Sequence, residues 1–258
     1  MLIPRRTVRT SQPQGPAWLK RNGSLISGLS VAYVPSIGRD LVHDVTPVTS
    51  GMARGINTSG VAIRDNGSGG YVQFTDTPLA GDVVIGCVFT VTRTDVVQLL
   101  VARVLEAAPY PQNYVLGVYA GELYFGMSTD SYAKITCPIS ANTIYSALAT
   151  FSADTKVWSL FVDGKLVATR TGTALPDAAT SGQETRIGTN NGGYFPVYGD
   201  INLAYIGSEC PSSPAARSLS ANPWQIFEDE EDYLFVPDAS GGGSVSLIVA
   251  DALHGHAV

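Results

Sequence analysis

One loop of the sequence combines the side chains that suit recognition of a sugar. Residues 190–198 are Asn-Asn-Gly-Gly-Tyr-Phe-Pro-Val-Tyr, so two amides lie close to three aromatic rings. Aromatic rings offer apolar faces for stacking, and amides both donate and accept hydrogen bonds. The loop therefore predicts ligand binding through Asn190, Asn191, Tyr194 and Tyr198. Closure of a domain rim or an oligomer interface by the same rings is the alternative. Further aromatic residues of predicted loops add to the hint: Tyr110, Tyr114 and Tyr132.

The acidic residues lack the spacing that glycoside hydrolysis needs. Two carboxylates must flank the scissile bond, about 5–5.5 Å apart in retaining enzymes. An E-x-D-x-x-E pattern, which would place them on one face of a strand, is absent from the sequence. The one dense acidic run, Glu228 to Asp232, is contiguous, so it indicates a solvated loop or a partner for a basic segment. The chain is therefore predicted not to be an enzyme.

The three histidines give neither a hydrolase triad nor a firm metal site. His43 lies beside Asp40 and Asp44 in a polar stretch, which indicates a solvated side chain. His254 and His256 would share one face of a strand, and a three-fold fibre would gather six such imidazoles around an axial transition metal. Exposed histidines of a repeat are the alternative interpretation.

Composition and charge limit the class of protein. The chain has 258 residues, with Gly 27, Pro 15 and Tyr 12, which favours one domain of strands and turns. A net charge of −6 argues against nucleic-acid binding. No apolar run is long enough for a membrane span, and no signal peptide is expected. The cysteines, Cys87, Cys137 and Cys210, lie far apart, which predicts reduced, strand-buried thiols.

Short apolar runs separated by turn residues continue through most of the chain. Asp163-Gly164 lies between two apolar runs and predicts a hairpin, because Gly adopts the positive φ of a type I′ turn without steric cost. Trp158, Leu160 and Val162 would share one face of the first strand. Gly121 would stand at the tip of a second hairpin. About a dozen predicted strands, and no helix before Cys210, favour an antiparallel β-sandwich.

Both ends of the chain differ from this patterned middle. We place an extended basic arm at residues 1–23, a β-sandwich at 24–210, an acidic and Gly-rich tail and linker at 211–243, and the start of a further β or fibre segment at 244–258. A short helical turn is predicted from Ser213 to Leu219. A frayed terminus is the alternative for the arm. Docking to partner proteins is assigned to residues of both ends: Arg5, Arg6, Arg9, Trp18 and Trp224.

The predicted hairpin around Asp163-Gly164, which we call the ribbon, and the strands after it resemble a laminin-G-like, concanavalin-type jelly roll. The resemblance rests on Trp158-x-Leu-Phe-Val-Asp-Gly-Lys-Leu-Val167, then Thr185-Arg-Ile-Gly188, then Gly199-Asp-Ile-Asn-Leu-Ala-Tyr-Ile206, and it covers residues 24–209. This family includes lectins, adhesion modules, glycosidases and structural domains, so the resemblance implies a fold more than an activity. It also implies calcium at one rim, for which Asp130, Asp154, Asp177 and the Asn190–Asn191 pair are candidates.

Two segments near the C-terminus resemble proteins of tailed bacteriophages and prophages. They are Ala216-Arg-Ser-Leu-Ser-Ala-Asn-Pro-Trp-Gln-Ile-Phe227 and Val249-Ala-Asp-Ala-Leu-His-Gly-His256. The resemblance implies a virion component made in the bacterial cytoplasm: a tail fibre, tail appendage or head fibre that contacts other virion proteins through its arm and tail. A homo-oligomer, trimeric by analogy with fibres, and contact with a host surface glycan are further expectations. A capsid decoration protein, a carbohydrate-active enzyme and a secreted glycan-binding lectin are the alternatives.

Overall fold

A computed structural model describes residues 28–74, 77–104, 112–128, 134–172, 184–190 and 192–228, together with Gln12 and the backbone of residues 2–5, 18–19 and 232–235. In chain order the strands are β1 (Leu2–Arg5), β2 (Trp18–Leu19), β3 (Leu29–Val34), β4 (Arg39–Asp40), β5 (Val48–Ser50), β6 (Ala53–Asn57), β7 (Gly60–Asn66), β8 (Tyr71–Phe74), β9 (Val83–Val91), β10 (Gln98–Val104), β11 (Gln112–Tyr119), β12 (Glu122–Ser128), β13 (Lys134–Pro138), β14 (Ile144–Ser152), β15 (Val157–Val162), β16 (Lys165–Thr171), β17 (Thr185–Ile187), β18 (Tyr198–Gly207), β19 (Phe227–Glu228) and β20 (Asp232–Phe235). One helix, α1 (Ser213–Ala221), and a 3-10 turn (Pro223–Ile226) stand before β19.

Two antiparallel sheets form the body of the molecule. The seven-stranded sheet has the order β13-β12-β11-β10-β17-β8-β5, and the nine-stranded sheet has the order β16-β15-β14-β9-β18-β3-β4, with β7 paired to β18 and β6 paired to β7. Apolar residues at alternate positions of both sheets, among them Ile85, Leu116 and Phe151, pack between them in the main core. The predicted antiparallel β-sandwich is confirmed.

The ribbon around Asp163-Gly164 forms the predicted hairpin. β15 pairs with β16, and Asp163 (φ 47°) and Gly164 (φ 80°) both have the positive φ of a type I′ turn. Trp158 is fully buried between the sheets, with its ring 5.5 Å from that of Phe125. The ribbon therefore supplies core packing, as its alternation predicts.

A second core lies on the outer face of the nine-stranded sheet. Residues of β9, β14 and β18 that point away from the main core, such as Val88, Leu148 and Tyr205, pack against Leu219 of α1 and Trp224 of the 3-10 turn. The predicted helical turn is present, and it is longer than expected. Residues 213–227 thus cover one sheet instead of extending away from it.

The N-terminal arm contacts the sandwich and the C-terminal segment. β2 pairs with β19, and β1 pairs with β20 in a register that sets Arg5 opposite Asp232. This backbone pairing supports the interpretation of the acidic run as a partner for the basic arm. The side chain of Gln12 is buried in the sandwich, where it hydrogen-bonds to Val61.

The edge strands between residues 48 and 66 are the main elements that sequence reasoning missed. The polar, Gly-rich stretch that ends at Gly60 contains β5 and β6, which pair with β8 and β7. Both strands are largely exposed, so they lack the apolar alternation of a half-buried strand. Their pairing depends on backbone groups, which leave no signal in the side-chain pattern.

The cysteine prediction is confirmed for Cys87 and Cys137, which are free and buried in strands. Cys210 is also free, but it is half-buried and lies in the connection after β18. Among the described residues, no helix is long and apolar enough to cross a membrane.

Candidate functional site: an aromatic rim

The loop that joins β17 to β18, residues 188–197, crosses from one sheet to the other at one end of the sandwich. We call it the crossing loop; Asn191 lies outside the described residues. Its C-terminal half is tied to its surroundings by three hydrogen bonds. The Val197 amide donates to the Gly188 carbonyl (2.9 Å), the Leu99 amide to the Phe195 carbonyl (3.0 Å), and the Tyr198 amide to Oε1 of Gln98 (2.8 Å). These bonds hold residues 195–198 in place.

Asn190 shapes the crossing loop from inside. Its side chain is buried, and its Oδ1 accepts a hydrogen bond from the Tyr194 amide (2.8 Å). The Gly193 amide donates to the Asn190 carbonyl, and Oγ1 of Thr189 donates to the Tyr194 carbonyl. Nδ2 of Asn190 is buried without a hydrogen-bond partner in the described part of the chain. Asn190 thus holds the backbone that carries the rings, and its side chain does not face solvent.

Tyr194 and Phe195 project their rings into solvent. Tyr194 is 59% exposed and Phe195 is 44% exposed, and their ring centroids lie 6.5 Å apart with planes inclined by 51°. Phe195 has φ 59°, a left-handed conformation that non-glycine residues rarely adopt. The fold therefore holds two neighbouring aromatic rings outside the core. At Phe195 it does so in a backbone conformation that is unfavourable for Phe.

Tyr198 follows three residues after Phe195, at the start of β18. Its ring is half-buried, and the Arg93 guanidinium lies above it, with Cζ 5.1 Å from the centroid. Arg93 is also paired with Asp95 through two hydrogen bonds, of 2.8 and 2.6 Å. These bonds lower the pKa of the Asp95 carboxyl from its ordinary value. We call Arg93, Asp95, Tyr194, Phe195 and Tyr198 the aromatic rim.

A second arginine supports the crossing loop from the outer face of the seven-stranded sheet. Nη1 of Arg186 donates to the Asn190 carbonyl (2.9 Å), and its guanidinium stacks on Tyr71, with Cζ 4.0 Å from the ring centroid. Nη2 donates to Glu184 (2.6 Å) and to Gln73 (2.9 Å). The cation is buried and paired, so it acts as a rigid support beneath the loop.

The outer face of the seven-stranded sheet carries a small apolar cluster. Leu99, Ala102, Val104 and Val115 are buried in it, and half-buried Val97 and Tyr124 pack against them. On the same face, Gln73 and Arg186 bond to each other. The most exposed aromatic side chains among the described residues are Tyr194, Tyr119 and Phe195.

The other predicted site residues have varied positions. Tyr114 is a fully buried residue of β11, with its hydroxyl 2.9 Å from Oγ1 of Thr77, so its assignment to a surface loop is wrong. Trp224 is buried in the second core of its own chain. The side chains of Arg5 and Trp18 lie outside the described residues, as do several whole residues: Arg6, Arg9, Tyr110, Asp130, Tyr132, Asp177, Asn191, His254 and His256.

The part of the chain that the structure describes contains no cluster of metal-ligating side chains. No group of three His, Cys, Asp or Glu side chains there is placed to hold an ion. His43 is half-exposed, and its Nδ1 lies 2.7 Å from Oδ2 of the buried Asp40. Oδ1 of that carboxylate also accepts the amides of Ala32 and Val42. This pair closes a turn, and the His43 side chain remains exposed at the surface, as the sequence predicts.

The fold is that of an antiparallel β-sandwich, and solved structures share this fold. Trypanosoma rangeli sialidase in complex with 2,3-difluoro-KDN superposes with a TM-score of 0.60 at 16% identity, over 85% of this chain and 37% of the sialidase. The same sialidase in complex with sialic acid gives a TM-score of 0.58 at 17% identity, over 77% and 33% of the two chains. The chain thus spans about a third of the sialidase chains that it matches.

A separate domain is matched over nearly its whole length. Domain 4 of AbnA, a GH43 extracellular arabinanase from Geobacillus stearothermophilus, in complex with arabinotriose, has a TM-score of 0.56 at 14% identity, with 75% of this chain and 98% of that domain covered. No protein-family model matches the chain. No curated protein matches it either. At these identities the similarity shows a shared fold.

Proposed function

We propose that this chain is a non-enzymatic, glycan-binding β-sandwich of a bacteriophage virion protein, and that the aromatic rim binds the sugar. The exposed Tyr194–Phe195 pair carries the proposal. Left-handed backbone costs about 1–2 kcal/mol for an ordinary residue, and an exposed ring forgoes the stabilisation of burial. Strain of this kind clusters at ligand sites, where the surrounding structure maintains it.

The chemistry of the rim suits a carbohydrate. Two exposed rings lie 6.5 Å apart with planes inclined by 51°, so each offers a face for stacking on a sugar, and Tyr194 adds a hydroxyl that donates and accepts. Asp95 and Arg93 supply an acceptor and donors at the edge. The similarity to an arabinanase domain solved with arabinotriose supports a glycan as the ligand class.

Two aspartates near the rim, Asp95 and Asp65, are bound by their own surroundings, which supports binding without catalysis. Asp95 is held by Arg93, and Asp65 is buried and accepts hydrogen bonds from its own loop. A glycosidase needs one carboxyl group that donates a proton and another that attacks or activates water. Neither aspartate is free for those roles.

A glycan array probed with the purified chain tests the proposal. We expect binding to neutral oligosaccharides, and we expect Tyr194→Ala to lower the affinity at least about tenfold, or about 1.4 kcal/mol. Ile56→Ala is the matched control, because Ile56 is 79% exposed and lies on β6, outside the rim. Equal loss in both variants, or release of reducing ends by the wild type, would contradict the proposal.

The virion part of the proposal is supported by the sequence resemblance of residues 216–227 and 249–256 to phage proteins. Negative-stain imaging of particles with gold label on this protein tests it. Label at tail fibres, tail appendages or head fibres is the expected result. Label spread evenly over the head surface would favour capsid decoration instead, and particles without label would exclude a virion role.

A further inference from the structure

Asp65 is a buried carboxylate with an unusual number of donors. It lies near the end of β7 and is 2% exposed. Its Oδ1 accepts the Asn66 amide (2.8 Å), the Ser68 amide (3.1 Å) and the Ser68 hydroxyl (2.5 Å). Its Oδ2 accepts the amides of Gly69 and Gly70, both at 3.1 Å. One side chain therefore determines the course of the whole turn between β7 and β8.

That turn is the base on which the aromatic rim rests. The Gly67 amide donates to the Val197 carbonyl (3.1 Å), and the Tyr198 ring lies so close over Gly67 that a Cβ there would stand 2.1 Å from Cζ. A Cβ on Gly69 would lie 3.1 Å from the Gly193 carbonyl oxygen. A shift of the turn by a few tenths of an ångström would therefore move Tyr198 and the crossing loop.

We infer that Asp65 is a positioning residue of the glycan-binding rim: its carboxylate sets the turn 66–70, and the turn sets Tyr198 and the crossing loop. The inference rests on the proposed function for its ligand. Asp65 does not itself face the ligand, because its oxygens are occupied by the five donors of its own turn. Its effect reaches the sugar through the backbone of residues 193–198.

The turn requires a carboxylate, and an amide of the same shape would not replace it. All five partners are donors, four amides and one hydroxyl, and an ionised carboxylate accepts on both oxygens. In Asp65→Asn one oxygen becomes an NH₂ group. In either orientation the NH₂ group meets at least two backbone N–H groups. The turn must therefore open, because these N–H groups and the NH₂ group are all donors and cannot bond to each other.

Asp82 provides a matched control for a role in stability alone. Oδ1 of Asp82 accepts the Ala153 amide (2.7 Å), and Oδ2 accepts the Cys210 amide (3.2 Å), so Asp82→Asn also removes carboxylate-to-backbone bonds. Asp82 precedes the first residue of β9, whereas Asp65 pairs with Gly199, the neighbour of Val91 at the other end of β9. The two carboxylates are therefore separated by about 30 Å, the length of a nine-residue strand.

Hydrogen exchange of the full chain, followed by mass spectrometry, separates the two roles without a ligand. In Asp65→Asn we expect amides of residues 66–70 and 193–198 to exchange about tenfold faster or more, with slow exchange kept in β9 and β14. Ser68→Ala, which removes only the hydroxyl donor, should give the same pattern at smaller amplitude and serves if Asp65→Asn fails to fold. Asp82→Asn should leave residues 193–198 unchanged.

Binding to immobilised arabinotriose and to a panel of neutral hexose oligosaccharides supplies the second readout. Asp65→Asn should weaken binding about tenfold at a temperature where it is fully folded, and Asp82→Asn should not. Unchanged exchange at 193–198 in Asp65→Asn, or equal acceleration there in Asp82→Asn, would overturn the inference. If the wild type binds no glycan, the proposed function fails, and the exchange pattern alone decides whether Asp65 positions the loop.

Discussion

At the scale of single residues, Phe195 shows most clearly where stability and the proposed function conflict. Its ring is exposed and its φ is positive, although Phe prefers the core and the β region. Its neighbour Tyr194 shares the exposure. Asn190 and Thr189 hold the backbone of this pair through hydrogen bonds. The residues that expose the rings are thus themselves buried.

Replacing Phe195 by Asn should stabilise the protein while it weakens glycan binding. Asn tolerates the left-handed region better than Phe, so relief of strain should raise the free energy of unfolding by roughly 0.5–1 kcal/mol. Urea denaturation and the glycan array measure the two effects. Tyr119→Asn is the control, since Tyr119 is 46% exposed in β11 without a positive φ, and it should not be stabilising. A loss of stability in Phe195→Asn would show that the rings pack for structural reasons.

At the scale of elements, the crossing loop could be located from its sequence, whereas its shape could not. Its amides and rings predict a binding surface, which stays a prediction, and the structure exposes two of the rings. Asn190 and Tyr198 stand out in the sequence as polar and aromatic contacts. The structure buries Asn190 within the loop and places Tyr198 over Gly67. Their roles depend on partners distant in sequence, which no local pattern reveals.

The arm is the other element whose role depends on a distant contact. Gln12 lies between the ends of β7 and β3 along β18, where Oε1 accepts the Val61 amide (2.7 Å) and Nε2 donates to the carbonyls of Val61 (2.7 Å) and Asn202 (3.0 Å). Its side chain thus pairs with Val61 as a neighbouring strand would. We call this position between the strands the Gln12 slot. Gln12 fits into it because Gly60 has no side chain, since a Cβ on Gly60 would lie 2.2 Å from Oε1 of Gln12.

Substitution of Gln12 should therefore destabilise the sandwich in a set order. Gln12→Ala removes the partner of the Val61 amide and the donor to the Asn202 carbonyl, whereas the Val61 carbonyl keeps Nδ2 of Asn202 (3.2 Å). This loss should cost about 1–3 kcal/mol. Gln12→Glu should be worse, because its second oxygen would face two carbonyl oxygens. Urea denaturation measures both variants. If Gln12→Glu proves as stable as wild type, the slot is not specific for an amide.

Deletion of residues 1–23 also removes Gln12, so it should destabilise the sandwich as well. Loss of incorporation into virions after that deletion would therefore not by itself prove docking by the arm.

At the scale of the whole molecule, charge favours uncharged ligands. The net charge is −6, and both arginines at the crossing loop are paired with carboxylates, Arg93 with Asp95 and Arg186 with Glu184. An anionic sugar would have to displace a carboxylate and approach an acidic protein.

We therefore expect neutral oligosaccharides to bind more tightly than sialylated ones, with little dependence on salt. Arrays at low and high ionic strength measure this, because screening weakens only charge-dependent binding. Asp95→Ala, which releases Arg93, should improve binding of sialylated glycans. A wild-type preference for sialylated glycans that weakens in salt would contradict the expectation.

Buried thiols and phenols make the molecule sensitive to alkali. Burial raises the pKa of Cys137 to about 11 and that of Cys210 to about 12, and it raises the pKa values of Cys87, Tyr124 and Tyr205 as well. Nearby carboxylates contribute at Cys137 and Cys210. The folded state thus keeps protons that the unfolded chain releases above pH about 8.5 for thiols and about 10 for phenols.

The free energy of unfolding should consequently be constant with respect to these groups below pH about 8, and it should fall as the pH rises from about 8.5 towards 11. The sign follows because the unfolded state binds fewer protons in that range. Urea denaturation between pH 7 and 10.5 measures the slope, and Cys87→Ala should reduce it between pH 8.5 and 10. Stability that stays level up to pH 10.5 would exclude this account.

The sequence by itself determined what local chemistry decides. Alternating apolar residues specified the inner strands, Asp163-Gly164 specified its hairpin, and scattered cysteines specified buried thiols, since each depends on a residue and its near neighbours. Tertiary structure alone decided that Gln12 fills a slot between strands, that Asp65 sets the turn under Tyr198, and that Phe195 stays exposed at positive φ. These features join residues far apart in the chain. Their energies come from contacts that form only when the distant strands have paired and the two sheets have packed together.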